Sequence, residues 1–172
     1  MRKYLLPLFL CLFFFILPLN IYVLGGGLGV GVQGALYRYQ VSTGYGIYFS
    51  PIVEELSYVG EIYTGKTAYS IICWFLGGLI LGILTLASLL TINAPQKIVP
   101  RVYSITLGLS GILFLISAMF QYGIFFNGPA GITLPFGAFL LILLGIAILV
   151  NPLFLRESRV PIEKTDERYI DN

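Results

Sequence analysis

The chain contains no histidine. That removes the commonest metal ligand, the side chain that titrates near neutrality, and any haem site held by two histidines. Nucleophilic catalysis also loses its usual base, so the many serine and threonine hydroxyls have nothing to activate them. There are two cysteines, Cys11 and Cys73, each inside an apolar run. This excludes a disulfide framework and leaves two small hydrophobes. Charge is scarce: 10% of the 172 residues are charged, against about 25% in a soluble domain. A net charge of +2 is too small to suggest a nucleic-acid partner.

What the chain has is apolar surface. Hydrophobic residues make up 58%, and the mean hydropathy is +0.91. Such a chain is an integral membrane protein, with the lipid bilayer as its first partner. Four apolar runs approach the ~20 residues needed to cross a bilayer: residues 4–24, 69–92, 102–125 and 133–154. None contains Asp, Glu, Lys or Arg, which argues against proton-coupled transport. The first run has the basic start (Arg2, Lys3) and apolar centre of a signal peptide. No A-x-A-like cleavage site follows, so it reads as an uncleaved anchor, bent at Pro7 and Pro18.

Orientation follows from the cations. Arg2, Lys3, Lys97, Arg101, Arg156, Arg159, Lys164 and Arg168 fall on one side of four such spans, and Arg38 and Lys66 on the other. The positive-inside rule then puts both termini in the cytoplasm of a multi-pass cell-membrane protein. Residues 25–68 form a large outer loop and residues 155–172 a cytoplasmic tail of mixed charge. Gly78 and Gly82 make a G-x-x-x-G pattern in the second span. Small residues at that spacing let helix backbones approach, within one bundle or between copies.

The outer loop is the informative region. "GGGLGVG" invites a nucleotide-loop reading, but the Lys-Ser/Thr ending of a P-loop is missing and an apolar run, not a strand, precedes it. The glycines instead end the first span. Tyr37, Tyr39 and Val41 alternate with Arg38, Gln40 and Ser42, and Tyr45, Ile47 and Phe49 alternate after Ser42-Thr43-Gly44. This predicts a β-hairpin whose aromatic face covers the helix ends and the rest of the loop. Ser50 as cap, Pro51, early acids Glu54 and Glu55, and apolar Ile52, Leu56, Val59 and Tyr63 predict a short helix over residues 51–63. The spacing of Glu54, Glu55 and Glu61 matches no cation loop. Tyr37, Arg38, Tyr39, Tyr45 and Tyr48, with Gly78 and Gly82, are the candidate contact residues. Tyrosine there serves membrane anchoring or protein contact.

Taken together, inside termini, a large first outer loop with a β-element, a short helix before the second span and a small second outer loop resemble the claudin and peripheral-myelin-protein tetraspans. In those proteins the first outer loop carries Gly-Leu-Trp followed by two cysteines. Here "GALYRYQVSTGYGIYF", residues 34–49, resembles that region, with Leu36-Tyr37 for Leu-Trp and Gln40 and a position near Tyr48 for the cysteines. Both cysteines and the tryptophan are missing, since Trp74 lies in the second span. The resemblance implies self-association, adhesion or barrier formation, or accessory binding to another membrane protein.

The expectation is therefore an all-α membrane fold: a four-transmembrane-helix bundle with a small extracellular β-hairpin or sheet cap between helices 1 and 2. It would be non-enzymatic, without catalytic residues, metal or cofactor, and would act through contacts as a homo-oligomer or with another membrane protein. The alternative is a small subunit of a membrane redox or transport complex, or a channel-like pore.

Overall fold

Pro18 sets where the first apolar run stops being helical. Proline has no N–H to give and pushes the residue before it out of the helical region. In the computed structural model, which describes residues 12–44, 46–90 and 100–150, residues 12–16 are helical (α1) and the chain then turns extended. β1 follows at Asn20–Leu24, where polar Asn20 and buried Tyr22 alternate with exposed Ile21 and Val23. A 3₁₀ turn at Gly25–Gly27 reverses the chain, with Gly26 and Gly27 both at φ 71°. β2 (Gly29–Gln33), β3 (Tyr37–Ser42) and β4 (Gly46–Pro51) complete a run of antiparallel strands.

Three more helices and two strands follow the short helix α2 (Ile52–Ser57): α3 (Gly65–Leu90), α4 (Pro100–Tyr122), β5 (Asn127–Gly128), β6 (Gly131–Leu134) and α5 (Phe136–Val150). The strands form one antiparallel sheet in the order β4-β3-β2-β1-β6-β5. The expectation of an all-α four-helix bundle with a small cap is thus overturned. A six-stranded sheet stands beside the helices, and among the described residues two helices, α3 and α4, are long and apolar enough to cross a membrane. α5 is apolar but has 15 residues.

The physical reason is that apolar character was read without its period. Residues 20–24 and 131–134 alternate buried and exposed side chains, which is strand behaviour inside runs that look continuous. Pro135 separates β6 from α5 as Pro18 separates α1 from β1. The short helix is also smaller than expected. It ends at Ser57, Pro51 occupies the cap position, and Gly60 at φ 93° turns the chain away. Tyr45, the start of the first run, the link at residues 91–99 and the tail lie outside the described residues.

The core lies where the foot of the sheet meets the helices. Leu19, Ala35, Trp74, Phe114, Ala138 and Leu141 are buried in one cluster. Gly137 N–H donates to the Leu19 carbonyl at 3.0 Å, locking the β1 entry to the start of α5. Ser110 Oγ donates to the Gly77 carbonyl at 2.8 Å, tying α4 to α3. Gly78 meets the β2–β3 turn: a Cβ there would come within 2.5 Å of the Ala35 carbonyl oxygen. Gly82 has more room, with Phe15 at 3.6 Å. The two glycines therefore differ in role. Gly78→Val is expected to cost about 1–3 kcal/mol through overpacking, whereas Gly82→Ala should change stability by less than about 0.5 kcal/mol. Thermal denaturation in detergent checks the pair, and equal losses at both sites would refute this packing account.

Candidate functional site

The two faces of the sheet are chemically opposite, and they are reversed from a sheet that sits on a greasy core. The inner face, packed on the helices, carries Asn20, Tyr22, Gln33, Arg38, Gln40 and Thr133. The outer face carries Ile21, Val23, Val30, Tyr39, Val41, Ile47, Phe49, Ile132 and Leu134, all exposed. Cross-strand register joins them into one surface: Leu134 and Val32 flank Ile21, Ile132 and Val30 flank Val23, Tyr39 pairs with Phe49, and Val41 pairs with Val30 and Ile47. No charged residue interrupts this surface.

Arg38 is the centre of the inner face. Its Nη1 donates to Glu55 Oε2 of α2 at 2.9 Å, and its Nη2 donates to Gln121 Oε1 of α4 at 3.3 Å. The guanidinium lies 5.0 Å from the ring centre of Trp74 on α3, a cation–π contact strengthened by desolvation. Trp74 Nε1 in turn donates to the Gly34 carbonyl at 2.9 Å, pinning the β2–β3 turn. Ser70 Oγ donates to the Ser117 carbonyl at 2.8 Å and continues the polar path between α3 and α4. Tyr22 OH donates to Gln40 Oε1 at 3.3 Å, and its ring packs 5.9 Å from that of Tyr122. One cation thereby ties β3 to three helices.

Burial dominates the electrostatics. It pushes the Glu55 carboxyl above the usual 4.5, although Arg38 and a hydrogen bond with Ser50 pull the other way. Burial also pushes the Tyr22 phenol up to about 12, with Arg38 opposing and Glu55 adding to the rise. The centre is sealed: Glu55 and Trp74 are almost wholly buried. Among the described residues no group of three His, Cys, Asp or Glu could hold a metal ion. The arrangement holds β3 against three helices.

The candidate contact residues are split by this geometry. Tyr37 stacks on Phe49 at 6.1 Å and its hydroxyl donates to the Ile16 carbonyl at 2.8 Å. Tyr39 is exposed on the outer face, and Tyr48 is exposed on β4 opposite Gln40. Arg38 is largely but not fully buried, at 11% exposure, and Gly78 is an internal packing residue. The expectation that the aromatic face of the hairpin covers the helix ends holds only at Tyr37, which meets the end of α1; the helices present Glu55, Gln121 and the Trp74 ring to the opposite, Arg38 face. Glu55, Gln121, Trp74 and Tyr22 were missed as a centre. A usable signal was present for Glu55, which falls three residues after Ile52 and one before Leu56, on the apolar side of its helix.

No protein-family model matches the chain, nor does any curated protein or solved structure.

Removing one member of the buried pair leaves the other charge uncompensated. Arg38→Met is expected to cost about 3–5 kcal/mol, and adding Glu55→Gln should return part of that loss. For Glu55 itself, the folded pKa lies above the unfolded one. Its contribution to stability is then fully present below about pH 4.5 and is lost as pH rises through the raised value. Denaturation midpoints measured across that window should fall with rising pH in the wild type, and Glu55→Gln should flatten the slope.

Proposed function

We propose that the protein is a non-enzymatic, multi-pass cell-membrane protein that acts by contact, with its sheet on the outer side and both termini in the cytoplasm. α3 and α4 are long and apolar enough to cross a membrane. The distribution of Lys and Arg supports the orientation, since Arg38 belongs to the sheet and Lys66 to the adjoining start of α3. The partner is a second copy or another membrane protein.

The observation that carries this reading is the β3–β4 hairpin. β4 is an edge strand, paired only with β3. Its Ile47, Tyr48 and Phe49 are exposed in succession, at 70%, 41% and 58%. Successive strand residues point to opposite faces, so both faces of this strand are uncovered over residues 47–49, and the inner face closes at buried Ser50. Natural edge strands are normally blunted by charge or a bulge; β4 carries no charge. An uncharged, aromatic edge is the composition of a protein-contact surface.

The claudin-like resemblance enters here as part of the proposal. Four antiparallel strands followed by a short helix and a long apolar one agree with it. The indole absent from the hairpin arrives from α3, where Trp74 Nε1 meets Gly34 at the start of the stretch concerned.

Ile47→Glu combined with Phe49→Glu should abolish crosslinking to neighbours in native membranes while the denaturation midpoint of the purified protein stays within about 0.5 kcal/mol of wild type. If no neighbour is captured by the wild type, and it runs as a strict monomer, the contact reading fails.

A further inference from the structure

The first turns of α3 lie beside the last turns of α4. Tyr69 packs 5.7 Å from Phe120, and Ser70 Oγ donates to the Ser117 carbonyl at 2.8 Å. Gly123, at φ 90°, then turns the chain out of α4 toward β5. A cleft of about 520 Å³ opens at this level, within the ~300–1,000 Å³ of small-molecule sites. Its apolar lining includes Ile116, Met119 and Phe120 of α4, and its polar lining includes Lys66 and Thr67 of α3 and Gln121 of α4.

Those three polar groups all offer N–H or O–H. Gln121 Oε1 accepts from Arg38 Nη2. A guanidinium can only donate, so the amide is fixed with its oxygen toward Arg38 and its Nε2 turned away. Among the described residues that Nε2 finds no acceptor, and it is not sealed from the cleft. Lys66 is exposed and has no carboxylate partner among the described residues. It stands in the first turn of α3, where the helix dipole disfavours a cation, so helix stability does not account for it. No Asp or Glu is found among the described residues that line the cleft. The cleft is therefore complementary to an anion, and the cation of a zwitterion would find no counter-charge there.

The apolar lining does not stop at the cleft. Ile116 continues along α4 as Ile112, Leu109 and Ile105, at spacings of four, three and four, and these three are exposed. Such spacing places them on one helix face, and the stripe from Ile116 to Ile105 runs about 16 Å. α4 is one of the two helices long and apolar enough to cross a membrane. An anion-complementary cleft at the head of a lipid-length apolar stripe matches one class of ligand. We propose that the cleft binds a net-anionic membrane lipid, with its phosphate at Lys66 Nζ, Thr67 Oγ1 and Gln121 Nε2 and an acyl chain along the α4 stripe. The proposal rests on the membrane reading above and names a ligand for the outer end of its two long helices. Because Gln121 serves both the lipid and Arg38, an occupied cleft also holds the amide in the orientation that pairs Arg38, and binding stabilises the fold.

Native mass spectrometry of the full chain, released from a neutral detergent holding equal amounts of phosphatidylglycerol and phosphatidylcholine, reads this directly. The wild type should retain one phosphatidylglycerol per chain, several-fold in preference to phosphatidylcholine, and phosphatidylglycerol should raise its thermal midpoint saturably. Lys66→Gln should weaken retention about tenfold, the worth of one charge-assisted hydrogen bond. Gln121→Glu keeps an acceptor for Arg38 but replaces the free donor with a carboxylate oxygen. It should abolish retention while the lipid-free midpoint does not fall. Lys66 is exposed, so its variant tests the site even where the Gln121 variant is unstable. Equal retention of the two lipids, or unchanged retention in Lys66→Gln, overturns the proposal. Displacement of phosphatidylglycerol by inorganic phosphate at comparable concentration would assign the cleft to a free anion and would also overturn it. Flotation with pure phosphatidylcholine vesicles separates this from the membrane reading. A chain that floats with them but shows no lipid preference sinks the proposal alone, and a chain that stays out of the vesicles sinks both.

Discussion

Arg38 cannot lose its charge inside a protein, and that single fact sets the facing of the sheet. The guanidinium must be paired or solvated, and its partners, Glu55 and Gln121, lie on the helix side. With Arg38 turned inward, Tyr37 and Tyr39 must turn outward. Cross-strand pairing transmits the choice: Arg38 sits opposite Gln33, and Gln33 opposite Asn20. Tyr22, two residues on, sits opposite Thr133. A slip of one residue would drive Tyr39 or Tyr37 onto Glu55 and expose the cation's polar neighbours. Register in this sheet is therefore specified by a buried ion pair rather than by an apolar core.

The consequence is a sheet with its apolar side out. Five strands at about 4.8 Å spacing and about five residues in length give a face of about 400 Å². At about 25 cal/mol per Å², leaving that face in water forgoes about 10 kcal/mol, which is comparable to the whole stability of an ordinary domain. A surface of that size is not incidental to the fold. The helices show why the arrangement still holds together. They carry Glu55, Gln121 and the Trp74 ring at the level of the sheet, where Arg38 meets all three, while Asn20 Oδ1, Gln33 Nε2 and Arg38 Nε stay buried without a hydrogen-bond partner.

The parts of this fold that were legible in the sequence are those where period and punctuation agree. The β3–β4 hairpin could be read because Tyr, Arg, Tyr, Gln alternate and a Gly-containing turn follows. α3 and α4 could be read because their apolar runs exceed any strand. β1 and β6 could not, because Ile21-Tyr22-Val23 and Ile132-Thr133-Leu134 are embedded in runs whose average hydropathy hides a period of two. Pro18 and Pro135 were the marks of the change, each sitting one or two residues from the strand boundary. The inner centre was hidden for a different reason. Arg38 and Gln121 are far apart in sequence, and no local pattern announces a pair that only the closed sheet brings together.

Small residues carry a related lesson about contact. A G-x-x-x-G pattern in an apolar helix suggests association between copies, yet Gly78 is filled by the chain's own β2–β3 turn. Gly137 receives the β1 entry, and a Cβ on it would meet the Leu19 Cα and the Pro18 carbonyl oxygen at 2.7 Å. Gly145 is closed by Ser104 and Gly108 of α4. Gly78 and Gly137 bring the sheet's foot onto the helices, and Gly145 brings α5 onto α4, all within one molecule. On the strands, an uncharged edge at β4 and an apolar face on β6, β1 and β2 remain uncovered by the chain itself.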